Sequence, residues 1–188
     1  MITMADVPLL APNTSKPNLL VAPPMGLHLG EAVSYLNRLV KEPTFLALIH
    51  PLLKRESKDW YVAYHWVAAE GSYSLQVFVW PPGTATKIHD HASWGAYSCA
   101  LGGIFEERYE RLDDGSVRDH ARLKKTWERE WNEGDGTSTV LPYDGGIHSI
   151  GNPGEETAIS VHLYGPRMSS IDGRDYDPSR DDVCDRPA

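Results

Sequence analysis

The pattern of apolar and polar positions divides the chain in three. Residues 1–28 show no periodicity, are rich in Pro, Asn and small residues, and read as a loosely draped arm. From Leu29 the apolar residues Leu29, Val33, Leu36, Leu39 and Val40 recur at a helical period. Pro43 and Thr44 open a second short helix toward Leu53, which Pro51 should end early. At Trp60 the signal changes to short β-branched and aromatic runs. These predict strands over Trp60–Trp66, Ser74–Trp80, Thr86–His91, Gly95–Leu101, Gly103–Tyr109, Thr126–Trp131, Thr137–Leu141, His148–Ile150 and Ala158–Leu163. Glu70-Gly71-Ser72 reads as a turn, and Asp113-Asp114-Gly115 as a hairpin turn. Many short strands with Gly/Pro turns predict a mainly β barrel or sandwich, with the short N-terminal helices packed on one side. The polar, charged segment 169–188 reads as a tail that wraps the surface or frays. One domain over 29–168 is expected between arm and tail.

Composition narrows the partners. The 188 residues carry 26 acidic and 18 basic side chains, a formal charge of -8, with no basic stripe. Nucleic acid is therefore not expected as a partner. No apolar run approaches a membrane span, and no leader pattern opens the chain. Two cysteines, Cys99 and Cys184, do not make a disulfide framework; the expectation is a reduced, cytoplasmic protein. Nothing in the sequence assigns an oligomeric state.

The chemistry-bearing stretch runs from Gly83 to Gly103. His89 and His91 stand two apart, so on a strand both rings face one side. His148 follows a second Pro/Gly turn. Together the segments resemble the paired motifs of the cupin superfamily, whose barrel is a double-sheet jelly roll. Gly83, His89, His91 and Gly103 fit the first motif. Gly136, Pro142, Gly145, His148 and Asn152 fit the second, with one extra residue between Pro142 and Gly145. Metal-binding cupins place a Glu four or five positions after the second His. Gly95 and Ala96 stand there, so the expected ligands are three neutral imidazoles with open positions, suited to Fe, Zn, Cu, Ni or Mn. His28, His50, His65 and His120 fit no motif.

A second constellation is Ser160-Val-His162-Leu-Tyr164, whose polar members share one strand face. With no acidic partner and no nucleophile elbow, it does not read as a hydrolase triad. Together with His89-Asp-His91 and His148 it resembles the thiol dioxygenase family, which includes cysteine dioxygenase and 3-mercaptopropionate dioxygenase, in its bacterial branch. That resemblance implies Fe(II) on His89, His91 and His148, with a small thiol and O₂ both binding iron and a sulfinic acid as product. It also implies that Ser160, His162 and Tyr164 form an outer relay reaching the oxygen or the substrate head group. Ala96 stands where mammalian-type members have a Cys cross-linked to the relay Tyr, so no thioether is expected. The family's substrate-anchoring Arg is replaced by Ala63, Tyr64 and His65. Arg167 and Arg174, downstream of the relay, are the candidate anchors for a mercapto-carboxylic acid, and Trp94 and Trp66 are candidate pocket walls. A metallo-cupin acting on a non-thiol substrate and a non-catalytic cupin that binds a small ligand are the competing readings.

Overall fold

The computed structural model describes residues 28–68, 71–166, 168 and 171–187. The expected arm, apart from His28, lies outside them, as does Arg167. Helix α1, Leu29–Leu39, buries Ala32, Tyr35, Leu36 and Leu39, an i, i+3, i+4, i+7 stripe. The Glu31 carboxylate accepts the backbone N–H of His28 at 2.9 Å, which satisfies one orphan donor at the helix start. Helix α2, Pro43–Ile49, has Pro in its first turn, where no N–H is needed. A 3₁₀ turn, His50–Lys54, carries the chain past Pro51.

Eleven strands follow among the described residues: β1 Tyr61–Val67, β2 Ser74–Trp80, β3 Ile88–His89, β4 Gly95–Leu101, β5 Gly103–Arg111, β6 Leu123–Asn132, β7 Ser138–Val140, β8 His148–Gly151, β9 Ala158–Tyr164, β10 Ile171–Asp177 and β11 Asp182–Pro187. They form two antiparallel sheets, ordered β1-β2-β9-β4-β7 and β11-β10-β3-β8-β5-β6. This is the cupin-type jelly-roll barrel the sequence predicts.

The first sheet is covered on both faces. Leu75, Val77 and Val79 of β2 and Ile159, Val161 and Leu163 of β9 pack with Leu36, Leu39 and Phe45 of the helices. The alternate residues, Phe78 and Trp80 of β2 and Tyr97 and Cys99 of β4, meet Ile104, Trp131 and Ile150 of the second sheet inside the barrel. Double coverage is why β4 and β9 are buried along almost their whole length. A polar side chain on the inner face of β9 therefore has nowhere to go but the barrel interior.

Two expectations are corrected. The expected tail, 169–188, is not a surface tail over its described part, 171–187. Ile171–Asp177 and Asp182–Pro187 pair with each other, and β10 pairs with β3 at Asp175↔His89 and Tyr176↔Ile88. The pinning group is Asp90, which is fully buried. Its carboxylate accepts bonds from Arg174 N at 2.7 Å, Arg174 Nε at 2.8 Å and Tyr176 Oη at 2.8 Å. A buried carboxylate needs such partners, and only the C-terminal segment supplies them. Asp113–Gly115 is not a tight hairpin turn either. It lies in a long β5–β6 connection, where the Asp113 carboxylate accepts the backbone N–H groups of Gly115 and Arg122.

Candidate metal centre and its relay

His89 ends β3, and His91 lies just beyond it, because the ladder stops after the first ligand. His148 opens β8 directly opposite His89 in the register. The residue added between Pro142 and Gly145 is absorbed in a 3₁₀ turn, Tyr143–Gly146, with Tyr143 at φ 52°. The Tyr143 N–H donates to the carbonyl of His91 at 2.9 Å, and Arg174 reaches Asp144 at 2.7 Å as well as Asp90. The two histidine-bearing segments are thus tied together through β10.

The outer nitrogen of two rings is fixed. His89 Nδ1 donates to the Lys87 carbonyl at 2.9 Å. His148 Nδ1 lies 3.2 Å from Tyr97 Oη and 3.6 Å from Glu106 Oε1. Both rings are thereby left with Nε2 facing inward. His91 Nε2 and His148 Nε2 are 3.3 Å apart, and the ligand atoms of all three histidines lie within 4.8 Å of one another. Two nitrogens about 2.1 Å from one ion, at roughly 100° to each other, have that 3.3 Å separation. Burial first, and the neighbouring imidazoles second, hold His89 and His91 well below the usual histidine range. They are neutral acceptors. Three imidazoles converging on one point, two of them with fixed outer partners, are a metal-binding donor set.

The relay lies beside this cluster. Ser160 Oγ is 2.7 Å from His162 Nε2, and His162 Nδ1 is 3.0 Å from Tyr164 Oη. The Tyr164 ring lies 4.8 Å from that of His91, centroid to centroid. Trp80 Nε1–H donates to Ser160 Oγ at 2.7 Å. Burial lowers the His162 imidazole to about 3, so it is neutral and carries one proton. Burial also raises the Tyr164 phenol far above its ordinary value, so it keeps its hydrogen. Tyr97 joins the two clusters: its ring stacks on His162 at 4.9 Å while its hydroxyl meets His148.

The expected pocket residues are placed unevenly. His65, Gln76, His162 and Tyr97 are paired in one row across the sheet, so their side chains share the barrel face, with His65 exposed at the edge. Tyr64 pairs with Val77 and so belongs to the helix side. Trp94 and Trp66 pack against the helix-side cluster, and Trp94 also covers Gly165. Arg174 is committed to Asp90 and Asp144. The residue facing the Tyr164 ring is Gly95, not Ala96. Gly95 pairs with Tyr164, and a Cβ built on it would sit 3.1 Å from Tyr164 Cε1. Ala96 turns to the helix side.

Sequence reasoning missed Arg186 of β11. Its charge acts on His89, His91 and Tyr164. Its Nη2 donates to the carbonyls of Asp90 at 2.7 Å and Asp172 at 3.1 Å, while its buried Nε has no hydrogen-bond partner among the described residues. Gln76 and Glu106 were also missed. Gln76 had a local signal, since strand alternation from Phe78 and Trp80 places it on the inner face; Glu106 and Arg186 had none.

A family model for cysteine dioxygenase type I matches residues 57–178. Among solved structures, the chain is similar to the protein TT1209 from Thermus thermophilus, with 17% identity, 63% of this chain and 94% of that chain covered, and a TM-score of 0.44. It is also similar to a Cupin 2 conserved barrel domain protein from Salinispora arenicola, with 18% identity, coverage of 56% and 73%, and a TM-score of 0.38. A recombinant oxalate oxidase in complex with glycolate matches with 19% identity, coverage of 57% and 51%, and a TM-score of 0.44.

Proposed function

The chain belongs to the cysteine dioxygenase type I family, and from that premise we propose that it is an Fe(II) enzyme converting a small mercapto-carboxylic acid to its sulfinic acid. The balance is closed: the thiol plus one O₂ gives the sulfinic acid, with both oxygen atoms on sulfur. Iron, when bound, supplies the centre at which thiolate and O₂ meet and the electrons move.

The chain's own residues do the rest. His89, His91 and His148 hold the ion and bring no negative charge, which favours an anionic sulfur. Trp80 can only donate, so Ser160 accepts from it and keeps its own hydrogen, which in the polarity we propose it gives to His162 Nε2. His162 then carries its proton on Nδ1 and donates to the Tyr164 oxygen. The Tyr164 hydrogen is left free to point past His91 at a bound substrate. That donor beside the three histidines is the observation that carries the reading.

Arg186 supports a carboxylate on the substrate. It is a cation whose field reaches both His91 and Tyr164, and its buried Nε stands 3.6 Å from Asp175 Oδ1 without a hydrogen bond to it. Gln76, beside His162 in the same row, offers an amide to the same head group. No helix among the described residues is long and apolar enough to cross a membrane. Two free cysteines accord with a reducing cytoplasm.

The test is O₂ uptake by iron-loaded protein with mercaptopropionate, mercaptosuccinate, cysteine and cysteamine, with product mass measured alongside. The expected result is one O₂ per sulfinate with the first two, weak uptake with cysteine, and none with cysteamine, which lacks a carboxylate. Arg186→Ala should raise KM for the mercapto-acids with little change in kcat. Silence with every thiol would overturn the reading in favour of another metallo-cupin.

A further inference from the structure

A three-histidine centre lacks an anionic ligand, yet a carboxylate is buried behind it. Glu106 of β5 is 0% exposed. It accepts Trp131 Nε1–H at 3.0 Å, Ser138 Oγ–H at 2.7 Å and Arg108 Nε–H at 2.8 Å. Its Oε1 lies 3.6 Å from His148 Nδ1, and the Tyr97 hydroxyl is 3.2 Å from the same nitrogen. We propose that Glu106 is a positioning residue for the metal, holding His148 in its Nδ1–H tautomer and lending negative charge to the centre through that ring, with Arg108 setting how much of that charge is felt.

The Glu106 carboxylate can only accept, so the arrangement it favours puts the hydrogen on His148 Nδ1, with the Tyr97 oxygen as a second acceptor, and leaves the lone pair on Nε2. A ligating imidazole whose far N–H meets a carboxylate is a stronger donor to the ion. Here the carboxylate lies one imidazole away from the ion instead of touching it, so the open positions on the metal stay open. Arg108 is the opposing charge. Besides Glu106 it bonds Ser138 Oγ at 2.8 Å and the Thr139 carbonyl at 2.7 Å, and its guanidinium lies 5.0 Å from the Trp127 ring. A third of its side chain is exposed, along a groove between Trp127, Trp131 and Thr137. The bridge from His148 through Glu106 to Arg108 therefore runs from the metal centre to the surface.

This inference rests on iron at the three histidines, and the experiment separates the two. Wild type, Glu106→Gln and Arg108→Gln are loaded with Fe(II). Retention against a competing chelator and the Fe(III)/Fe(II) midpoint potential are then measured. Glu106→Gln should loosen the metal by about 10–100-fold, as for other outer partners of ligating histidines. It should also raise the potential, because Fe(III) loses more than Fe(II); a tenfold difference between the two corresponds to about 59 mV. Arg108→Gln should lower the potential. Opposite signs from neighbouring residues are not produced by a merely structural disturbance. Shifts in the same direction, or none, would overturn the proposal. If Glu106→Gln does not fold, Arg108→Gln decides alone, and an unchanged potential sinks the idea. A wild-type protein that retains no iron would instead fail the metal reading itself.

Discussion

Trp80 gives its indole N–H to Ser160 Oγ at 2.7 Å, and through that contact a residue of β2 holds the first member of the Ser160–His162–Tyr164 chain on β9. Trp80→Phe keeps a ring beside Trp60 and Phe78, whose centroids lie 5.7 and 5.6 Å away. It leaves Ser160 Oγ without that donor, so the Ser160–His162–Tyr164 chain is held less firmly. Turnover with a mercapto-acid should fall about tenfold, the size of one hydrogen bond worth about 1.4 kcal/mol, while bound metal stays at wild-type level. Unchanged kcat would show that the relay does not need this contact.

The Tyr164 hydroxyl has its own test. Tyr164→Phe removes the donor but leaves all three histidines and their outer partners untouched. Turnover should slow by at least tenfold with metal content unchanged, whereas His148→Ala should lose most of its metal. Metal analysis beside kcat separates the two roles, and full metal occupancy in His148→Ala would dismiss the ligand assignment.

Gly95 is where the barrel wall meets the Tyr164 ring. A Cβ there would stand 2.9 Å from Val140 Cγ2 and 3.1 Å from Tyr164 Cε1, closer than side chains settle. Gly95→Ala must therefore push Tyr164 or Val140 aside. The expected outcome is a loss of kcat approaching that of Tyr164→Phe, with metal retained. Ala96→Gly, one position along and on the helix side, should cost stability and leave kcat alone.

The histidine cluster and the Ser160–His162–Tyr164 chain were legible because their signals are local. Two-residue alternation puts Ser160, His162 and Tyr164 on one face whatever the tertiary context, and the motif spacing carried His89, His91 and His148. What escaped depends on long-range pairing. Ile171–Asp177 and Asp182–Pro187 have too few apolar residues to read as strands. They fold as strands because Asp90, more than 80 residues earlier, needs Arg174 and Tyr176. Arg186 reaches the site only through that pairing. Glu106 sits in Glu106-Glu107-Arg108, which reads as a solvated edge until Trp131, Ser138 and His148 enclose its first residue. Gly95 was missed by one position, because sequence offset does not reveal which residue of β4 pairs with Tyr164.

The Asp90–Arg174 pair makes the C-terminal hairpin part of the site's scaffold. Asp90 is buried, and Arg174 supplies its main countercharge. Removing one partner of such a pair costs about 3–5 kcal/mol. Arg174→Ala should lower the melting temperature sharply and loosen the metal, since β3 and its His89 lose their neighbour β10. A variant that melts like wild type would show that the hairpin is only an appendage.

The relay histidine also predicts how stability depends on pH. His162 is packed against Phe78 and Tyr97 and bonded to Ser160 and Tyr164. Burial depresses it to about 3 from its ordinary 6.5, with the charge of His148 adding to the effect and that of Glu106 opposing it. Above pH 6.5 the folded and unfolded states hold the same number of protons at this residue. Below it the unfolded chain takes up one that the folded protein refuses until about pH 3. Stability is therefore fully present above about pH 6.5 and drains as pH falls, at about 1.4 kcal/mol per pH unit. His89 and His91 behave the same way in metal-free protein, so the contribution of His162 is read as a difference. Urea denaturation of metal-free wild type and His162→Gln from about pH 7.5 to about pH 5 should show wild type ahead at the upper end, with the gap closing by roughly 2 kcal/mol at the lower. Parallel curves across that range would mean that His162 can be protonated in the folded barrel, and the neutral relay drawn from its burial would fall.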